Sequence, residues 1–388
     1  MKAIGEKMKI PLSNPDITDL ERGYVAKVLE SPHLSLGPML SEFERAFASY
    51  MGSRHAIAVN SGTSGLHLAL RGLGVGEGDS VLTSPFSFIA SANCILFEKA
   101  IPVFVDIDPQ TYNFDVTKIE DVLARLKKNA QRPKAILPVH VFGRPCDMSP
   151  LMELAKSHSL TIIEDACEAI GAEYKGKKVG TFGDATVFAF YPNKQITTGE
   201  GGMIITDNEQ LSRLCKSLRN QGRSEDGSWL AHKRLGYNYR LSEINCALGL
   251  AQLERIEEIL EKRRRVAAVY AEKLNGMEEL HLPGCGAGEK VSWFVYVVRL
   301  TDKYTRQDRD KILEGLRAAG IGCNNYFTPI HLQPFYRGMF GFSEGDFPVT
   351  EHIAQRTIAL PFFNSLTEGQ IDYITENLKR LLFKEALR

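Results

Sequence analysis

Between positions 55 and 207 the chain alternates short apolar runs with helix-patterned stretches, and this restricts the fold more than any other feature. The runs cover 55–59, 80–83, 101–105, 135–141, 161–164, 185–190 and 203–206, and the helical patterns between them cover 63–73, 88–97, 118–128 and 149–158. Alternation of this kind predicts an α/β domain: a large, mainly parallel sheet flanked by helices. Ligands of such sheets sit at the carboxyl ends of the strands. After Leu241 the pattern changes. Positions 241–274 read as one long helix, with apolar Ile244, Ala247, Leu248, Ala251, Leu253, Ile256 and Leu260. A strand at 293–300 and helices at 308–319 and 367–383 follow. The expected organisation is a large domain over 13–250, a smaller C-terminal α+β domain over 251–388, and an N-terminal extension, 1–12, that joins the second domain.

With 388 residues, 44% of them hydrophobic, the chain can bury both cores. Lys+Arg equals Asp+Glu at 47 each, so nothing in the overall charge points to nucleic acid or a membrane surface. A local basic cluster could still hold phosphates. Arg219, Arg223, Lys233, Arg234 and Arg240 surround Ser228-Trp229; they suit a diphosphate and a base, or equally a solvated loop. The seven cysteines, Cys94, Cys146, Cys167, Cys215, Cys246, Cys285 and Cys323, show no CxxC spacing. They read as reduced thiols, with neither a disulfide framework nor a metal site. The first eleven residues lack the apolar core of a signal peptide, and no apolar run reaches the ~20 residues that span a bilayer. The expectation is a soluble, cytoplasmic protein.

Three segments carry chemistry. Asn60-Ser61-Gly62-Thr63-Ser64-Gly65 follows a strand and opens a helix. A helix start offers unpaired N–H groups and partial positive charge to an anion, and a simple N-cap accounts for the same residues. The strand at 161–164 delivers Glu164 and Asp165 at its carboxyl end. A buried carboxylate needs a cationic partner, such as a protonated pyridine nitrogen; an acid capping the next turn is the simpler reading. Lys194 lies in a glycine-bearing loop between two apolar strands. Near an apolar wall it can become a nucleophile, whereas most loop lysines are only solvated. Together the three suit pyridoxal phosphate, which needs an anion site, a carboxylate for its ring nitrogen and an amine for its aldehyde.

The chain resembles the sugar aminotransferases of the DegT/StrS type, in the fold-type-I pyridoxal-phosphate superfamily. The likeness is carried by Leu36-Gly37-Pro38, Asn60 to Gly65, Pro85-Phe86-Ser87-Phe88, Asp106-Ile107-Asp108-Pro109, Glu164-Asp165-Ala166, Lys194 to Gly202, Gly236 to Arg240, and His331, Pro334 and Tyr336. The resemblance implies that Lys194 forms the Schiff base and shuttles the proton, and that Asp165 pairs with the pyridinium nitrogen. It implies that Phe88 stacks on the ring and that Gly62, Thr63 and Ser64 hold the phosphate. It also implies that Asn238 reaches that phosphate from the other subunit of a homodimer with shared active sites. Tyr326, His331 and Arg240 are expected near the sugar. Two positions depart from the family pattern: Ala189 replaces a serine whose hydroxyl contacts phosphate, and Glu168 stands where His or Gln is frequent. A carboxylate beside the ring's phenolic oxygen would be repelled, so Glu168 is expected to be protonated or turned toward substrate.

The implied reaction is transfer of an amino group from glutamate to a nucleotide-linked keto-sugar, foremost a 4-keto-6-deoxyhexose. The product is an amino sugar for surface polysaccharide. Rival readings are amination of a keto-cyclitol or 3-keto-sugar, sugar dehydration, and a regulatory protein that binds the cofactor without turnover. Dehydratase relatives replace the anchoring lysine, so Lys194 weighs against dehydration.

Overall fold

A computed structural model describes residues 8–224 and 231–386. The chain enters through α1 (Asp19–Leu29) and α2 (Pro38–Met51). It then lays down β1 (His55–Val59), α3 (Gly62–Gly72), β2 (Asp79–Thr83), α4 (Ala90–Phe97), β3 (Ile101–Phe104), α5 (Ile119–Lys128), β4 (Arg132–Leu137), α6 (Met148–Ser157) and β5 (Thr161–Asp165). The two-residue strands β6 (Glu173–Tyr174) and β7 (Lys177–Lys178) precede β8 (Ala185–Ala189), β9 (Gly202–Thr206) and α7 (Glu209–Arg219). Seven strands form one sheet in the order β1-β9-β8-β5-β4-β2-β3.

The sheet is parallel from β3 through β8, and β9 runs antiparallel to both its neighbours. A parallel neighbour needs a long crossover, whereas β8 reaches β9 through the loop 190–201 alone, so β9 must reverse direction. That loop leaves the sheet at the edge where β5 ends. Strand alternation splits the core. Ile57, Val59, Val187 and Ile204 pack under α3 and α7, while Ala56, Ala58, Phe188, Met203 and Ile205 face Phe43 and Phe47 of α2 on the other side.

The stretch 241–274 is two helices, α8 (Glu243–Glu254) and α9 (Ile256–Leu274), broken at Arg255. No Gly or Pro marks the break. Tertiary contacts hold it: the Arg255 guanidinium donates to Glu21 at 2.7 Å and to Glu258 at 2.9 Å. The division read at 250/251 falls inside α8, which packs on α1 and α2. The two cores meet later, along α9: Ile256, Ile259 and Leu260 belong to the large domain, and Val266, Ala267, Tyr270 and Leu274 to the small one.

The small domain contains β10 (Leu280–His281), β12 (Tyr296–Leu300) and β13 (Thr357–Leu360) as an antiparallel sheet, covered by α10 (Arg306–Ala318) and α13 (Glu368–Ala386). Strand β11 (Glu289–Lys290) pairs with β6, and the short helices α11 (Pro334–Phe340) and α12 (Pro348–Ala354) lie between α10 and β13. The first described residues belong here as well. Ile10 bridges Ile321 and is buried in the small-domain core, and the Leu12 carbonyl accepts from the Phe362 N–H. Among the described residues, no helix is long and apolar enough to cross a membrane. All seven cysteines are free thiols, and only Cys285 is exposed.

Candidate active site

A cavity of about 790 Å³ opens at the carboxyl ends of β5 and β8. Because these strands are adjacent and parallel, with Asp165 opposite Val187, the acid ending one and the loop leaving the other reach the same rim. Asp165 is buried. Its Oδ2 accepts from the Ser91 hydroxyl at 2.7 Å, and its Oδ1 from the Cys167 N–H at 3.2 Å. Both donors are neutral, and no ion pair to Asp165 occurs among the described residues. A buried carboxylate so placed suits a cationic N–H entering from the cavity.

Ser91 lies in the first turn of α4, with its hydroxyl 2.8 Å from that of Ser87. The turn between these serines presents Phe88, a large ring left 62% exposed on the cavity wall. So much open aromatic face inside a cleft suits a flat ring laid against it.

Also lining the cavity, Lys194 has its Nζ 3.9 Å from the centre of the Phe294 ring and 3.5 Å from Glu168 Oε1. The next residue fixes the loop: Gln195 Nε2 donates to the Glu168 carbonyl at 2.6 Å and to Ser292 Oγ at 3.0 Å. Glu168 is buried, and its other oxygen accepts from the Phe142 N–H at 2.9 Å. Burial pushes its carboxyl above the usual carboxylate range; the nearby Lys194 charge opposes this only in part.

The start of α3 forms another part of the wall, where Gly62 and Thr63 line the cavity. Close packing explains the glycines. A Cβ on Gly62 would stand 2.8 Å from that of Ala189, and one on Gly202 would stand 2.7 Å from the Ser61 carbonyl carbon. The helix start is therefore pressed against β8 and β9, with its first-turn N–H groups at the cavity. Ser64 is used otherwise: its N–H and hydroxyl bond the Ser61 side chain as part of the cap, and it does not line the cavity. Ala189 does line it and brings no hydroxyl.

Tyr326 lines the cavity, its ring 6.3 Å from that of Phe142, and burial raises its phenol pKa. His331, expected beside it, does not. It is fully buried between Phe342 and Phe347, with Nε2 bonded to Glu351 at 2.9 Å. Its neighbours Ile330 and Gln333 reach the cavity instead. Asn238 and Arg240 do not line this cavity either. They form a strap beside the end of β1: Asn60 Nδ2 donates to the Asn238 carbonyl at 3.4 Å, and Arg240 donates to Asn220 Oδ1 at 3.1 Å. Arg219 is buried against Glu44 and the Ala58 carbonyl, which removes it from the basic cluster. Ser228 and Trp229 lie outside the described residues.

Sequence reasoning missed Ser91, Gln195 and Phe294. Ser91, one turn past Phe88, had a usable signal. Phe294 had none, because it read as part of a strand; that strand begins only at Tyr296 and frees the residues before it to reach the cavity.

The DegT/DnrJ/EryC1/StrS aminotransferase family profile matches residues 15–379. A GDP-perosamine synthase of Caulobacter vibrioides is 40% identical over 379 residues, covering 96% of this chain and 98% of that protein. The spore coat polysaccharide biosynthesis protein SpsC of Bacillus subtilis is 36% identical over 383 residues, covering 96% and 97%. Among solved structures, Helicobacter pylori PseC, an aminotransferase of pseudoaminic acid biosynthesis, superposes with a TM-score of 0.91 at 29% identity, covering 97% of this chain and 100% of that one. The PLP form of the putative sugar aminotransferase Spr1654 from Streptococcus pneumoniae gives 0.90 at 28%, covering 97% and 99%.

Proposed function

We propose that this chain, which belongs to the DegT/DnrJ/EryC1/StrS aminotransferase family, moves an amino group from glutamate to a nucleotide-linked keto-sugar, foremost a 4-keto-6-deoxyhexose, in the cytoplasm. It is a pyridoxal-phosphate-dependent sugar aminotransferase. The observation that carries the reading is the opening of Asp165, Lys194, Phe88 and the start of α3 onto one cavity. Each fits a different part of the cofactor: carboxylate for ring nitrogen, amine for aldehyde, open aromatic face for ring, and N–H groups for phosphate. The GDP-perosamine synthases among the relatives support a nucleotide-linked substrate.

When bound, pyridoxal phosphate supplies an electron sink that acidifies the C–H bond beside the reacting nitrogen. Asp165 would hold a proton on the ring nitrogen through a charge-assisted contact, and Ser91 orients the carboxylate for it. Lys194 anchors the cofactor. As a free amine its Nζ would be placed to take the proton from the donor's α-carbon and later to return one to the sugar carbon. Glu168 Oε1, 3.5 Å away, is placed to hold a proton beside that amine. Asn238 from a second copy of the chain completes the phosphate site, consistent with its lying off the cavity of its own chain.

Supplying glutamate with UDP-, dTDP- and GDP-linked 4-keto-6-deoxyhexoses, and weighing the products, tests the substrate. An amino sugar formed from one of them is expected; turnover confined to a keto-cyclitol or 3-keto-sugar would overturn the assignment.

A further inference from the structure

Arg263 lies near the middle of α9, where the two cores meet, and is only 4% exposed. No carboxylate is within ion-pair distance of it among the described residues. Its guanidinium grips main-chain carbonyls instead: Nη2 donates to Lys194 O at 2.9 Å, and Nη1 to Phe294 O at 3.2 Å and Trp293 O at 3.4 Å. The Phe362 ring stands 5.6 Å from its central carbon. Burial lowers its pKa to about 10, which still leaves it charged at neutral pH.

Burying a cation without a carboxylate is costly. Its planar fork, however, can hold two separate backbone segments at a fixed spacing, which a single ammonium cannot do. The segments joined here are not arbitrary. One carries the Lys194 amine, and the other carries the ring over which that amine sits, 3.9 Å from its centre. Gln195 spans the same gap one residue along, through Ser292.

We propose that Arg263 is a positioning residue for the Lys194 amine: by clamping the lysine loop to the Phe294 segment it sets where Nζ stands on the cavity wall. The inference rests on Lys194 being the residue that joins the cofactor. Borohydride reduction of the holoenzyme followed by peptide mapping checks that premise on its own; a label on another lysine removes the premise and the inference with it. With Lys194 labelled, Arg263→Met and Arg263→Lys decide the rest. Misplacing the amine lowers kcat per bound cofactor about 10- to 100-fold in Arg263→Met, leaves KM for the sugar within about twofold, and slows borohydride trapping of Lys194. Arg263→Lys recovers part of the loss, because one of the contacts can be remade. A kcat per bound cofactor equal to wild type in Arg263→Met overturns the proposal, as does a rise in KM that accounts for the whole effect. If Arg263→Met does not fold, Arg263→Lys replaces it: a loss in kcat alone supports the clamp, and wild-type kcat overturns it.

Discussion

Glu168 shows how one residue can be recognised by its neighbours. Folding raises its pKa, so the fold favours the neutral carboxyl. The stability tied to that preference is complete below the ordinary carboxylate value of 4.5 and is lost as pH rises through the raised value. Glu168→Gln keeps a neutral group at every pH. Its melting temperature should therefore gain on wild type as pH climbs above 4.5 and lose that gain below it; parallel melting curves across pH would contradict the shift. Asp165 is different, since its partners are neutral donors and its proposed counter-charge is the cofactor. Asp165→Ala should lower kcat by about a hundredfold or more, with Asp165→Glu retaining part. Near-normal turnover by the alanine variant would sink that role.

At the scale of elements, the packing of α3 on β8 and β9 makes a clear demand. Gly202→Ala drives a methyl into the Ser61 backbone, which cannot rotate away, and overpacking of this kind costs about 1–3 kcal/mol. The start of α3 should shift and cofactor retention should fall, as followed by dialysis and absorbance. Gly369→Ala, in α13 with open space around it, should leave retention unchanged and serves as the control. Ala189→Ser asks the reverse question. Its hydroxyl would enter the cavity beside Gly62, and one added hydrogen bond, worth about 1 kcal/mol, should slow cofactor loss several-fold. Faster loss would mean the hydroxyl meets Gly62 instead.

These elements also show what the sequence discloses. All seven large-sheet strands are legible because their apolar runs are short and bounded. Asp165 and Lys194 are legible because a strand end and a glycine-bearing loop constrain chemistry locally. The break at Arg255 is not, because distant acids in the N-terminal segment and α1 hold it. Nor is the burial of His331, which depends on Glu351 and two phenylalanines supplied by later turns.

For the whole molecule, the position of Asn238 and Arg240 beside Asn60, off the cavity of their own chain, suits an active site completed by a second copy. Mixing Lys194→Ala with Asn238→Ala tests this. In a mixed dimer one site carries both changes and the other carries neither, so random exchange should restore about a quarter of wild-type activity. No recovery after verified exchange would place Asn238 outside any shared site.

The bridge from Ile10 to Ile321 has a consequence for synthesis. The ribosome releases an apolar segment whose seat lies about 310 residues downstream. While the large domain assembles, residues 8–12 trail as an unpaired strand edge, open to proteases and to other nascent chains. Chains arrested before Ile321 should be clipped there first, and full-length chains spared.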